Sequence, residues 1–398
     1  MSRTQAITDA MKQENVLRYK GWDIVLVYVT LAVLGLGLVM VMSASIPIAE
    51  KRLGHPFAYF QKQLVFVIIG LFAAFLVSKI QLQQWQKAGP VLLLLGFILL
   101  VAVIVPGVGK EVNGSMRWLP LGFVNLQVSE LVKLIVFIYL AGYLVRRGEE
   151  IRTTLRGFLK PMLVLSFAVV LLLLEPDFGA AAVMLATALG MMYMSGVGLI
   201  KFAALIISTA TAMGLLAMVS PYRVARVLSF MNPWDDPYNS GFQLTQSLIA
   251  FGRGEWFGVG LGGSIQKLFY LPETHTDFLY AILAEELGLV GAILVIVLFA
   301  LLVWRAFLIG ASAEREQQYF SAYLAYGIGI WIGLQAFINI GVNMGVLPTK
   351  GLTLPLMSYG GSSIVITLAA IGLLLRIGYE AENAELQQAW AKKKRVSR

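Results

Sequence analysis

Leu271-Pro-Glu-Thr-His-Thr-Asp-Phe278 gathers Glu273, His275 and Asp277 into one short stretch that ends where a long apolar run begins. A carboxylate at such a junction can accept backbone N–H bonds as a helix cap. The N-terminal end of a helix also suits an anion-facing site, and there a carboxylate can take a proton as general base. The residues alone leave cap and catalyst open for Asp277. His275 fits best as an orienting hydrogen-bond partner, because one His with two carboxylates is too small a set for a metal site. The chain holds two His, His55 and His275, and no Cys. Disulfides, thiolate chemistry and iron–sulfur ligation are excluded, and a multi-histidine metal centre is not expected.

Cations recur inside other polar motifs. Arg117 lies in Asn113-Gly-Ser-Met-Arg-Trp118, Arg253 near the end of Gly241–Gly254, and Lys350 in Leu347-Pro-Thr-Lys-Gly-Leu-Thr-Leu-Pro355, with Ser358-Tyr-Gly-Gly-Ser-Ser363 following. Lys133, Glu285 and Glu286 fall within apolar runs, where charges face a partner or a cavity. A buried ion pair between Lys133 and one of the two glutamates is the expectation, with a phosphate-binding role for Lys133 as the lesser alternative. Gly258-Val-Gly-Leu-Gly-Gly263 lacks the Gly-Lys-Ser/Thr ending and the preceding strand of a nucleotide loop. Its glycines suit a flexible segment in which backbone can approach a substrate. Glu175-Pro-Asp-Phe-Gly179 predicts a tight turn with Asp177 capping the helix after it.

The elements that must position these residues are membrane helices. Hydrophobic residues make up 58% of the 398 positions and charged residues 13%, with a mean hydropathy of +0.78, whereas soluble domains carry about a quarter charged residues. Runs of about 20 apolar residues can cross a bilayer as helices. Ten are predicted, near 22–45, 63–79, 89–106, 126–145, 160–174, 179–197, 200–219, 278–304, 320–342 and 358–378. The fold class is therefore all-α: a polytopic membrane domain over 22–378, a polar segment 1–21 before it and a basic tail 379–398 after it. The first run reads as an uncleaved anchor. Lys and Arg crowd the side of the termini, notably in 146–160 and from Arg376 onward, which predicts cytoplasmic termini and a large periplasmic loop, 220–277, between helices 7 and 8. The same flanking pattern explains the net charge of +9 without nucleic acid.

The ordered motifs Asn232-Pro-Trp-Asp-Asp-Pro237, Gly-x-Gln-Leu-Thr-Gln-Ser-Leu-Ile-Ala-Phe-Gly-Arg-Gly, Leu-Pro-Glu-Thr-His-Thr-Asp-Phe and Leu-Pro-Thr-Lys-Gly-Leu-Thr-Leu-Pro-Leu-Met-Ser-Tyr-Gly-Gly-Ser-Ser resemble the SEDS family (shape, elongation, division and sporulation), over about residues 20–380. Asn-Pro-Trp, Phe-Gly-Arg-Gly and Pro-Thr-Lys-Gly are similar to its division branch more than its elongation branch. The resemblance implies a ten-helix peptidoglycan glycosyltransferase of the bacterial inner membrane that joins lipid II into glycan strands at the division septum and releases polyprenyl pyrophosphate. It implies a monofunctional transpeptidase partner, FtsI, together with FtsQ, FtsL and FtsB. It makes Asp277 the catalytic carboxylate. Arg117, Arg253 and Lys350 become the cations for the pyrophosphate, whose oxygens match an Arg fork, with Glu273, His275 and Ser358 beside them as substrate-binding residues. No protein cofactor is called for, although the pyrophosphate leaves room for a divalent cation, Mg or Mn. Some family members carry a Glu eight residues before this Asp; Phe269 stands there instead, so no role for that acid carries over. The rival function is a lipid II flippase. A transporter places polar groups near the midplane, whereas the dense motifs here fall on one predicted rim and the inner loops hold short basic stretches. A non-enzymatic scaffold would need no acid in a cation-rimmed pocket.

Overall fold

Long apolar helices dominate the structure because backbone N–H and C=O groups in lipid have no water to bond and must pair within their own segment. The computed structural model describes residues 22–112, 115–122, 124–198, 203, 207, 211, 214, 218, 230–239, 241–348 and 351–396. The predicted span 200–219, apart from those single positions, and Lys350 lie outside the described residues. In chain order the helices are α1 (Ile24–Leu53), α2 (Ala58–Lys79), α3 (Leu82–Ile104), α4 (Val128–Thr153), α5 (Leu155–Leu174), α6 (Phe178–Met194), α7 (Phe242–Gly254), α8 (Leu279–Arg315), α9 (Tyr319–Asn343) and α10 (Gly361–Val396). All but α6 and α7 are long and apolar enough to cross a membrane, and α6 is a shorter apolar helix.

The fold is not wholly helical, which corrects the all-α expectation. Part of the 107–125 loop, with residues just after it, forms a three-stranded antiparallel sheet, β1 (Lys110–Val112), β2 (Ser115–Leu121) and β3 (Val124–Gln127), with Trp118 opposite Gln127 and Pro120 opposite Asn125. Backbone polar groups need partners wherever water is scarce, and a sheet supplies them without another span.

Local signals set the helix ends. The Asp23 carboxylate accepts the Leu26 N–H at 2.9 Å to start α1, and Gly54 stops it in the left-handed region at φ 68°. Helices α4, α9 and α10 form the centre, while α2 and α3 lie outside: 78% of the apolar stretch of α4 is buried against 22% of that of α2. Glycines let α2 and α10 meet closely. A Cβ on Gly372 would stand 2.4 Å from the Ala74 carbonyl oxygen, and one on Gly361 2.6 Å from the Phe66 ring. Lipid offers no hydrophobic drive between helices, so close approach of small residues supplies the attraction.

Helix α8 is broken at Gly288 (φ 66°, ψ −165°). Residues 255–260 lie along the break as a strap. Leu289 and Val290 N–H donate to the Glu255 and Trp256 carbonyls, and Val259 and Gly260 N–H donate to the Glu285 and Glu286 carbonyls. Every one of these helix groups would otherwise be orphaned at the break. A Cβ on Gly288 would meet the Gly258 nitrogen at 2.4 Å, and one on Gly258 the Glu286 oxygen at 2.1 Å. The start of the Gly258–Gly263 motif is therefore not the loose segment its composition predicts: its backbone approaches a helix.

Candidate active site

Motifs far apart in sequence converge at one end of the bundle. The Tyr359 N–H donates to the His275 carbonyl at 2.8 Å. Gln63 Nε2 donates to the Ser358 carbonyl, and Gln63 Oε1 accepts from Gly360 N–H. Ser362 Oγ donates to the Asn125 carbonyl and accepts from Gln127 N–H, tying α10 to β3. Ser129 Oγ donates to Asp177 Oδ2 at 2.8 Å, while Asp177 Oδ1 accepts Ala180 N–H as the predicted cap of α6.

Asp277 sits at the middle of this convergence. The N-cap of α8 is Phe278, with no side-chain cap bond, so Asp277 is not the cap. Its main-chain carbonyl accepts from Asn339 Nδ2 and Asn343 Nδ2, both at 2.9 Å. Asn343 Oδ1 in turn accepts Ala281 N–H, and Asn339 Nδ2 also donates to the Leu352 carbonyl. Two side chains one helical turn apart on α9 thus hold both the residue and the backbone passing beside it. A Cβ on Gly351 would stand 3.1 Å from Asp277 Oδ2, so the glycine of Pro-Thr-Lys-Gly brings that backbone against the carboxylate. Asn339 and Asn343 escaped the sequence reading; their signal is two buried amides at i, i+4 inside an apolar helix, which have to be satisfied.

Glu273 lies at φ 55° and opens the tight turn before α8: Phe278 N–H donates to its carbonyl and Thr276 Oγ1 to its carboxylate. His275 is buried between the rings of Tyr59 and Tyr359, at 4.7 and 5.5 Å. Burial, with a smaller contribution from Arg52 and against Glu273, pushes its pKa below the usual value, so the imidazole is neutral near pH 7. Its ring packs against aromatics, and Nδ1 has no hydrogen-bond partner among the described residues.

The charged residues pair differently from expectation. Lys133 does not reach Glu285 or Glu286. Its Nζ meets Glu130, one turn earlier on α4, at 2.7 Å, donates to Gln335 Oε1 and lies 5.1 Å from the centre of the Trp331 ring. A partner at i, i+3 needs no long-range fit, and it takes the pair from the distant glutamates. Glu285 is claimed instead by Arg253 at 2.6 Å, by Ser264 Oγ, and by Ile265 and Gln266 N–H. Glu286 is claimed by Lys267 at 2.7 Å and by Ser43 Oγ. Lys267 is thus the second clamp on the broken helix. Arg253 keeps 36% of its side chain exposed beside Glu285. The Arg117 guanidinium bonds the Glu175 and Pro176 carbonyls and pins that turn to β2. Ser358, expected to face substrate, is buried, and its hydroxyl accepts Leu354 N–H; it holds a turn.

Glu175 adds a group the sequence did not single out by itself. It is fully buried, and neither carboxyl oxygen has a hydrogen-bond partner among the described residues. Burial, with Asp177 adding and Arg117 opposing, raises its pKa from 4.5 to about 8. The native carboxyl binds its proton more tightly than the unfolded one. Its stabilising contribution is therefore complete below pH 4.5 and is lost as pH rises through about 8. Glu175→Gln, which mimics the protonated acid, should melt less pH-dependently than the parent between about pH 6 and 9 and should exceed it at the alkaline end. Parallel melting curves for the two proteins over that range would contradict the assignment.

The family model for cell cycle proteins of the FtsW/RodA/SpoVE type matches residues 24–383. The chain belongs to this family, the SEDS proteins. Relatives named probable peptidoglycan glycosyltransferase FtsW include one from Thioalkalivibrio sulfidiphilus, 57% identical over 94% of each chain, and one from Nitrosococcus halophilus, 59% identical over 90% of this chain and 92% of the relative. A solved structure described as structural coordination of polymerization and crosslinking by a peptidoglycan synthase complex superposes with a TM-score of 0.75 at 31% identity, covering 91% of this chain and 99% of the other. The rod shape determining protein RodA of Thermus thermophilus superposes with a TM-score of 0.67 at 28% identity, covering 90% and 97%. This SEDS chain is a multi-pass membrane protein whose described spans converge their polar motifs on Asp277.

Proposed function

We propose that the Asp277 cluster is the active site of a peptidoglycan glycosyltransferase that polymerises lipid II at the division septum of the bacterial inner membrane, releasing polyprenyl pyrophosphate. The observation that carries this is the fixing of Asp277 by Asn339 and Asn343 while its carboxylate lies against Gly351 instead of capping α8. A pyrophosphate is already a stable leaving group, so the demanding partner is the acceptor alcohol. A positioned carboxylate that takes the alcohol proton in the transition state contributes typically about 10²–10⁴-fold. The exposed part of Arg253, and Lys350, which precedes Gly351 in sequence, supply positive charge for the departing pyrophosphate. Among the described residues no cluster of three or more His, Asp or Glu stands ready to hold a metal; a Mg or Mn ion would enter with the pyrophosphate.

The expected assembly has ten spans, both termini in the cytoplasm and the 220–277 loop in the periplasm. A transpeptidase of the FtsI type, with FtsQ, FtsL and FtsB, binds on that side. Polymerisation of purified lipid II by the purified protein, alone and with its transpeptidase, tests the function. Glycan chains exclude a flippase or scaffold acting alone; translocation without product would overturn the assignment. The orientation has its own test at Tyr238, which is 85% exposed. Tyr238→Cys, the sole thiol in the chain, should react with an impermeant maleimide in intact spheroplasts, and labelling that appears only after lysis would reverse the topology.

A further inference from the structure

A cleft of ≈ 550 Å³ opens at the end of the bundle opposite Asp277, with Arg146, Arg147, Glu149, Arg152, Tyr319 and Tyr323 in its walls. Helix α4 runs from Ser129, which touches Asp177, to Arg152, a distance of about 35 Å at 1.5 Å per residue. Helix α9 runs from Asn343, beside Asp277, back to Tyr319. The cleft is formed where the far ends of these two helices meet, and with a hydrocarbon core of about 30 Å a helix of that length would set the cleft at the level of the headgroups.

Its construction favours an anion. Helix α4 breaks at Arg147 (φ −128°, ψ 20°), and Arg147 emerges with 62% of its side chain exposed and Glu150 only at 3.5 Å. The other oxygen of Glu150 is taken by Lys160 at 2.6 Å. On the facing side Arg152 donates through Nε to the Ser195 carbonyl at 2.7 Å and through NH2 to the Tyr323 hydroxyl at 3.3 Å. These bonds fix its guanidinium before any ligand arrives. Tyr319 and Tyr323 stack at 6.3 Å with 29° between their planes, and Tyr319 is 44% exposed. The Glu149 carboxylate in the same wall would repel a bare anion but accept from a hydroxyl. Val145, an exposed apolar residue, belongs to the same lining. Guanidinium forks bind phosphate oxygens, and basic pockets between spanning helices bind anionic lipid headgroups.

We propose that this cleft binds the phosphodiester headgroup of an anionic membrane lipid, with hydroxyls of the headgroup at Glu149 and the tyrosines and an acyl chain along Val145. The site is separate from the proposed glycosyltransferase chemistry and does not depend on it.

The test uses the full-length protein in uncharged detergent, with bound lipid counted by native mass spectrometry and stability followed by thermal melting. Phosphatidylglycerol should remain bound and raise the melting temperature by several degrees, as expected for a ligand selective for the native state. Phosphatidylcholine should do neither. Arg147→Gln, at an exposed position, should weaken phosphatidylglycerol binding about tenfold, the typical effect of losing one charge-assisted bond. Arg156→Gln, exposed on α5 but outside the cleft walls, should leave it unchanged. Equal binding by Arg147→Gln and parent would overturn the cleft as the site. Stabilisation by millimolar inorganic phosphate alone, equal to that by the lipid, would overturn the lipid in favour of a free phosphate.

Discussion

Purified Asp277→Asn protein is expected to polymerise lipid II at least about 10²-fold more slowly than the parent while folding normally and still binding its transpeptidase. Asparagine keeps the size of the side chain and leaves untouched the main-chain carbonyl that Asn339 and Asn343 hold, so the backbone of the turn should survive. What is lost is the ability to take a proton. The N-cap position of α8, Phe278, is itself left unchanged by the substitution. Glycan synthesis at the parental rate would remove Asp277 from the chemistry. A variant that loses both activity and thermal stability would instead mark the carboxylate as structural.

Lys133→Ala is expected to destabilise the bundle by roughly 3–5 kcal/mol, the cost of breaking one side of a buried pair. Lys133 is fully buried and Glu130 nearly so. After truncation the Glu130 carboxylate would keep Ser363 Oγ at 3.4 Å, and Gln335 Oε1 would keep only Trp331 Nε1. The loss is a large fraction of the roughly 5–15 kcal/mol by which domains are stable. Melting in detergent should fall steeply, and yield with it. The double variant Glu130→Gln with Lys133→Met removes both charges at similar volume and should recover most of the loss, because neutral replacement of a complete buried pair is often tolerated. Normal melting of Lys133→Ala together with loss of lipid II binding would instead place Lys133 in the substrate site.

The helices were legible because hydropathy over a span-length window is a strong signal. The sheet was not. Strands β1 and β3 hold three and four residues, too few for a clear alternating pattern, and Pro120 within the longer β2 argues against a strand by itself. At the site, the types and grouping of Glu273, His275 and Asp277 were readable, but partners were not. Glu130 stood three residues from Lys133 in plain view, yet the span position of Glu285 and Glu286 made them look equally available. Arg253 and Lys267 reach those glutamates only because residues 255–260 fold back on α8, an event no local rule reports. Ser358 illustrates the converse: a hydroxyl in a polar motif can be spent entirely on its own turn.

The interruption at Gly288 settles a question of length. An unbroken helix of 37 residues would extend about 56 Å at 1.5 Å per residue, nearly twice the hydrocarbon thickness of about 30 Å. Such a rod would have to tilt steeply or carry Glu285 and Glu286 far beyond the headgroups. Bent where the strap docks, the portion from Leu289 to Arg315 measures about 40 Å, which matches a bilayer with its polar margins. The portion from Leu279 to Glu286 is then released from crossing and is buried within the protein at every position, with Asp277 at its head. Four backbone hydrogen bonds, not hydropathy, therefore decide where the straight run of this helix ends and where its buried first turns begin.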